Sequence, residues 1–202
     1  MIIPIPEVEN FPPYAYWDDG FTRTELDKLQ TIALEAHQNA SVGNFSEKDG
    51  YGRVDGGIRK SKIKWLQRIE ENDWVYLKLG AIVSKLNYLF FRFDIRGFGE
   101  DIQMTNYDSD VQGMYNWHID CAEGVGPPAP VRKMSVVMQL SEPGEYDGGD
   151  LQILHTSDTP ITLEKKRGRV FVFPSYKIHR VTPVTIGSRQ SLVCWLTGPA
   201  LR

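Results

Sequence analysis

A mainly β domain, with its α elements confined to the N-terminal half, is what this sequence predicts, on three observations. The chain has 202 residues, 41% hydrophobic and 24% charged, which suits one domain over 1–202 with a real core and does not suit a disordered chain. Two segments in the first hundred residues carry apolar side chains at helical spacing. After Gly99 the texture changes to short alternating runs punctuated by Gly, Pro and Asp, as in an all-β sandwich, jelly roll or barrel.

Taken in order, Phe21 to Ala40 reads as a helix. Thr22 or Thr24 can cap it, and Phe21, Leu26, Leu29, Ile32, Ala33 and Ala36 recur near its period. Residues 41–57 hold five glycines and few apolar anchors and read as a long loop. Lys60 to Leu66 is a short strand. Asn72 to Phe91 is a second helix, with Trp74, Leu77, Ile82, Leu86 and Leu89 as its apolar stripe. Strands follow near 101–107, 113–120, 133–140, 149–155, 160–164, 168–173, 178–183 and 189–197. Residues 122–131 form a Gly/Pro loop. Both loops are expected to be mobile and to close over a substrate.

Composition narrows the function. Lys and Arg number 23 against 26 Asp and Glu, a net charge of −3, which argues against a broad electrostatic nucleic-acid binder. Cys121 and Cys194 are the only cysteines; they make no disulfide framework and no thiolate zinc site, and a reducing compartment fits them. The opening MIIPIPEV lacks a basic region and is broken by Pro4 and Pro6, so no signal peptide is expected. No run reaches the ~18 apolar residues of a membrane span. The expected setting is cytosolic.

Of the four histidines, His37 and His155 read as structural or surface residues. His118 and Asp120 are two apart on a predicted strand and so share a face. Fifty-eight residues separate Asp120 from His179, and Arg189 follows ten further on. Two neutral imidazoles and one carboxylate on one face leave three open positions on an octahedral metal, which suits non-haem Fe(II) with a chelating co-substrate and O₂. Arg189 offers a planar fork for a second carboxylate. A dicarboxylic 2-oxo acid uses both.

The ordered set Tyr107…Gly113-x-Tyr115-x-x-His118-x-Asp120, Arg132-x-x-Ser135, Tyr146-x-Gly148-Gly149-x-Leu151, Phe173-Pro174-Ser175-x-x-x-His179-x-Val181-x-Pro183-Val184 and Gly187-x-Arg189-x-Ser191 with Trp195 resembles the 2-oxoglutarate- and Fe(II)-dependent dioxygenases, in their prolyl hydroxylase-like (prolyl 4-hydroxylase/PKHD-type) branch. The resemblance implies a double-stranded β-helix, the jelly-roll or cupin-like fold, over 101–197, buttressed by the helical and mixed residues 1–100. It implies His118, Asp120 and His179 as iron ligands and Arg189, assisted by Ser191, as the partner of the distal carboxylate of 2-oxoglutarate. Tyr107 would line the co-substrate pocket. Gln139 stands where related enzymes place a tyrosine, and its amide could donate instead. The implied reaction hydroxylates an unactivated C–H, most simply of a prolyl residue in a protein or peptide, and yields succinate and CO₂, with O₂ consumed and ascorbate as reductant. No nucleic-acid or membrane partner is implied, and oligomeric state is left open.

Gly148-Gly149 reads as a sheet corner. Trp195 reads as core, Cys121 as incidental, Lys165-Lys166-Arg167 as a solvated turn. Tyr115 and Trp117 would point away from the site that His118 faces. Arg59 or Tyr51 could pair with a charged substrate. The alternatives are a lysyl or small-molecule hydroxylase of the same family, a non-catalytic cupin-like metal- or ligand-binding domain, and a two-His, one-Asp zinc hydrolase. The last would need a general-base glutamate, for which only Glu123 lies nearby.

Overall fold

The computed structural model of the chain describes residues 12–46, 50–121, 131–155 and 159–199. The elements run β1 (Ala15–Trp17), α1 (Arg23–Leu34), β2 (Gln38–Asn39), β3 (Val42–Ser46), β4 (Gly50–Arg53), β5 (Arg59–Lys60), β6 (Lys62–Leu66) and α2 (Asp73–Leu86). After a single π-helical turn at Asn87–Phe91 come β7 (Gly97–Phe98), β8 (Ile102–Asp108), β9 (Met114–His118), β10 (Val131–Gln139), β11 (Tyr146–Gly148) and β12 (Leu151–Leu154). β13 (Pro160–Thr162), β14 (Val170–Pro174), β15 (His179–Val181) and β16 (Val184–Gly198) complete the chain.

Two antiparallel sheets form a jelly-roll sandwich. The nine-stranded major sheet runs β1-β14-β10-β16-β8-β6-β2, with β7 and β11 also pairing along β16. The five-stranded minor sheet runs β13-β12-β15-β9-β5. The period-two alternation of the central strands separates two cores. Ile102, Met104, Met134, Val136, Met138, Leu192, Cys194 and Leu196 face the helices and bury Leu29, Ala33, Leu79, Val83 and Leu86. The opposite face presents Tyr107, Val137 and Phe171 to Tyr146, Leu151, Ile153 and Val181 between the sheets. The same alternation aims Arg189 and Ser191 into the sandwich, so the site is a by-product of the pleat.

Several sequence expectations are corrected here. α1 stops at Leu34, not Ala40, because the apolar spacing lapses after Ala36 and Gln38–Asn39 pair with Ile63 and Lys62 instead. Thr22 is the cap: its hydroxyl accepts from the Glu25 N–H while the Glu25 carboxylate accepts from the Thr22 N–H. The predicted loop 41–57 contains a hairpin, Val42 opposite Arg53 and Ser46 opposite Gly50; among the described residues β3 and β4 pair only with each other, and their glycines hide them from a strand pattern. The stripe of α2 is Val75, Leu79, Ile82, Val83 and Leu86, whereas Leu77 and Leu89 are 61% and 51% exposed. That helix is apolar around most of its circumference, and spacing alone admits two faces. The first hundred residues supply strands to both sheets as well as helices. The expected Gly/Pro loop lies, apart from Val131, outside the described residues.

Candidate metal centre and anion pocket

His118 closes β9 and His179 opens β15, and the two are cross-strand partners with ring centroids 4.1 Å apart. Asp120 lies just past β9, anchored where its N–H donates to the Ser175 carbonyl. Its Oδ1 is 3.6 Å from His118 Nε2 and its Oδ2 is 3.4 Å from His179 Nε2. The potential ligand atoms of all three residues lie within 4.8 Å of one another. His37 and His155 are exposed and stand apart.

The ring orientation is set by the backbone. His118 Nδ1 is 2.7 Å from the Asn116 carbonyl and His179 Nδ1 is 2.9 Å from the Lys177 carbonyl. A carbonyl only accepts, so each Nδ1 carries a proton and each Nε2 is left facing inward, where it can ligate. The Ser135 hydroxyl donates to Asp120 Oδ2 at 2.6 Å and lies 3.0 Å from Ser175 Oγ. Burial alone would raise the Asp120 carboxyl, but the charge and hydrogen bond of His179, with His118 and Ser135, outweigh it and hold the group well below the carboxylate range. Burial, reinforced by repulsion from His179, pushes His118 down to about 4. Burial also opposes charge on His179, but Asp120 outweighs it and the ring is raised. Without a metal, Asp120 therefore favours a proton on His179 Nε2; a cation that displaced it would meet two imidazole nitrogens and one ionised carboxylate converging on a buried point, the donor set of a divalent transition metal, and the residues present fit one.

Tyr115 departs from expectation. A bulge in the β9–β15 ladder, between the pairs His179–His118 and Val181–Tyr115, breaks the alternation. Tyr115 therefore faces the cavity, stacked on His118 at 3.5 Å and 12°. Behind it the Arg59 guanidinium lies 4.6 Å from the Tyr115 ring.

Arg189 lies in the same cavity on the major sheet, 2% exposed. Its Nη1 donates to Ser191 Oγ at 3.3 Å and its guanidinium sits 5.4 Å from the Tyr107 ring. Among the described residues no carboxylate pairs with it. Gly149, at φ +61°, makes room: a Cβ there would stand 3.0 Å from Arg189 Cδ. Gln139 is the cross-strand neighbour of Ser191, but its amide donates to Tyr146 Oη at 2.6 Å. Trp195, expected as core, lines the cavity, and its buried Nε1–H has no hydrogen-bond partner among the described residues. The Arg132 guanidinium stacks 3.9 Å from its ring and pairs with Glu100. The Tyr51 side chain lies outside those described.

Sequence reasoning did not single out Gln103, which supports Arg59, nor give Ser175 or Tyr146 a role. A signal existed for the first: Gln103, Thr105 and Tyr107 alternate with the core residues Ile102 and Met104, a polar face on a largely buried strand.

Residues 102–197 match the family model of the 2OG-Fe(II) oxygenase superfamily. Within it, the similarity is to PKHD-type hydroxylases: 32% identity over 151 residues to one from Nitrosomonas europaea and 30% over 149 residues to one from Teredinibacter turnerae. Each match covers 72% of this chain and 65% of the relative's length, so the chain spans less than two thirds of these relatives. The fold is shared with a prolyl-4-hydroxylase from Pseudomonas putida, at TM-score 0.66, 18% identity and 92% of both chains. It is also shared with a Trichoplax adhaerens prolyl hydroxylase solved with a hypoxia inducible factor peptide fragment, at TM-score 0.70, 16% identity, 92% of this chain and 83% of that one. The sandwich is therefore the double-stranded β-helix that the motifs implied. Among the described residues, no helix is long and apolar enough to cross a membrane.

Proposed function

We propose that this chain is a 2-oxoglutarate- and Fe(II)-dependent hydroxylase acting on a prolyl residue of a protein or peptide. The observation that carries the reading is one cavity holding both the His118/Asp120/His179 cluster and a buried Arg189 that has no carboxylate partner among the described residues. The match of residues 102–197 to the oxygenase family model supports the chemistry; the prolyl hydroxylase neighbours, one bound to a peptide, favour the substrate class.

In this reading His118, Asp120 and His179 hold Fe(II). When bound with 2-oxoglutarate and O₂, the iron supplies the oxidising power for C–H hydroxylation, with succinate and CO₂ as products and ascorbate as the reductant that keeps the metal ferrous. The chain's residues supply placement. Ser135 and Ser175 fix the Asp120 carboxylate. The Asn116 and Lys177 carbonyls hold the imidazoles in their ligating tautomer. Arg189 takes the distal carboxylate of 2-oxoglutarate, oriented by Ser191 and packed against Tyr107, while Gln139 and Tyr146 close the recess behind it. Val137, Leu151, Val181 and Val193 line the cavity and limit water. One domain over 1–202 is part of the reading, since strands from the first hundred residues enter both sheets. The free cysteines Cys121 and Cys194 favour a reducing, cytosolic setting.

The test is succinate formation by purified protein with Fe(II), 2-oxoglutarate and proline-containing peptides, with the added oxygen located by fragmentation. Succinate is expected from the wild type and not from His179→Ala. Oxygen found on lysine or a free metabolite, and never on proline, overturns the prolyl assignment. No succinate at all overturns the oxygenase.

A further inference from the structure

Arg169 shows a guanidinium buried in this fold with its charge compensated. At 7% exposure it donates to both oxygens of Asp18, at 2.8 and 2.9 Å, and to Glu164 at 2.8 Å. Arg59 is equally buried, at 7%, and is treated differently. Its Nε donates to Ser61 Oγ at 2.9 Å, its Nη2 donates to Gln103 Oε1 at 2.7 Å, and its face covers Tyr115. Every one of these partners is neutral. They orient the cation without compensating its charge, an arrangement that costs stability unless an anion arrives.

The cavity gives that anion a place. Of the described residues lining it, only Arg59, Arg189 and Asp120 carry a fixed charge. Asp120 is committed to the metal cluster. Arg189 is opposite Tyr107 in the β8–β16 ladder, whereas Gln103, which holds Arg59, is opposite Val193. Four residues of strand, ~13 Å, separate the two levels, so the guanidinium groups serve different ends of the cavity. A divalent metal and a dianionic co-substrate, added to these three residues, leave one positive charge over. Trp195, two residues beyond Val193 on the same strand, adds an unpaired buried N–H to the lining.

We propose that Arg59 binds a carboxylate of the substrate, next to the carbon that is hydroxylated. This rests on the hydroxylase reading and deepens it: the substrate is an acid at that position. The carboxylate is either the side chain of an Asp or Glu adjacent to the target residue or the α-carboxylate of a free amino acid. Tyr115 links this contact to the metal end of the site, because it stacks between Arg59 and His118.

The experiment uses matched pairs that differ only in the carboxylate: blocked hexapeptides containing Pro-Asp or Pro-Asn, and free L-proline or L-prolinamide. Binding is measured by calorimetry on protein holding Fe(II) and 2-oxoglutarate without O₂, and 2-oxoglutarate affinity is measured separately. At least one pair is expected to show a tenfold or greater preference for its acid, and which pair does so identifies the source of the carboxylate. Arg59→Gln should bring that preference to within twofold. Gln103→Glu should do the same while keeping the side chain's shape, since it neutralises Arg59 from within. Affinity for 2-oxoglutarate should stay within threefold in both variants. The proposal is overturned by equal binding within both wild-type pairs, by a preference surviving in both variants, or by a tenfold loss of 2-oxoglutarate affinity in both, which would make Arg59 a co-substrate residue. A wild type unable to bind 2-oxoglutarate overturns the hydroxylase reading, and this inference with it.

Discussion

Replacing Arg189 by methionine separates the two things a buried cation can do. If the guanidinium exists to hold a carboxylate, the substitution strips the charge-assisted hydrogen bonds from 2-oxoglutarate. Such bonds are worth ~1.5–3 kcal/mol, or roughly 10- to 150-fold in affinity. At 2-oxoglutarate one hundred times its wild-type Kd, ligand binding stabilises the fold by about 2.7 kcal/mol. A fiftyfold weaker variant retains about 0.6 kcal/mol at the same concentration. For a domain of this size the ligand-induced rise in Tm should fall from about 5–11 °C to about 1–3 °C. The ligand-free variant should melt no lower than wild type. Arg189 is 2% exposed with a single 3.3 Å hydrogen bond to Ser191, and an apolar side chain of similar length relieves the desolvation of an unpaired charge. Differential scanning fluorimetry with Mn(II), with and without 2-oxoglutarate, reads both quantities. A lower ligand-free Tm with an unchanged ligand-induced shift would refute the reasoning and make Arg189 a structural residue.

Three further outcomes follow from contacts already described. Ser135→Ala removes the 2.6 Å hydrogen bond to Asp120 Oδ2 and should weaken Mn(II) binding by ~10- to 100-fold in a calorimetric titration, with circular dichroism unchanged. Gly149→Ala sets a Cβ at positive φ against Arg189 Cδ and Val184 Cγ2; both Tm and 2-oxoglutarate affinity should drop, whereas a loss of Tm alone would remove the link to Arg189. The Asp18 carboxyl is held at about 2 chiefly by its hydrogen bond to Arg169, so it stabilises the fold above the ordinary carboxylate pKa and ceases to as pH falls through about 2. Asp18→Asn should melt below wild type at pH 7, and melting curves should converge between pH 4 and about 2.

The parts of this protein that follow a rigid period were legible in the sequence. Arg189 and Ser191 could be placed together because a strand repeats every two residues; His118 and Asp120 do meet, but the expected strand ends at His118 and Asp120 is set by its backbone bond to Ser175. Periodicity failed where it was degenerate or interrupted. The second helix carries apolar residues on most sides, so the sheet, not the spacing, selects Val75 and Leu79 over Leu77. Tyr115 was assigned to the wrong face because a one-residue bulge has no mark in a lone sequence. β3 and β4 are short and rich in glycine and polar residues, and show no strand pattern in the sequence. Arg59 is the intermediate case. Its residue type promised a charged contact, but only the fold shows that the residues it reaches, Gln103 and Ser61, leave it unneutralised.

The site's groups hang from opposite walls. His118 and His179 belong to the minor sheet, while Arg189, Ser191 and Trp195 belong to β16 of the major one. At the metal end the walls are already fastened, by Ser135 to Asp120 and by Arg59 to Gln103. At the Arg189 end, the described side chains include no carboxylate to pair with that residue. A dicarboxylate gripped at both its ends is then a strut as well as a reactant. Its arrival should slow amide exchange in β9 and β15 together with β16, and its consumption should let the far end of the sandwich breathe again. Turnover in such an architecture carries its own mechanical cycle, stiff while the co-substrate is whole and slack once the product leaves.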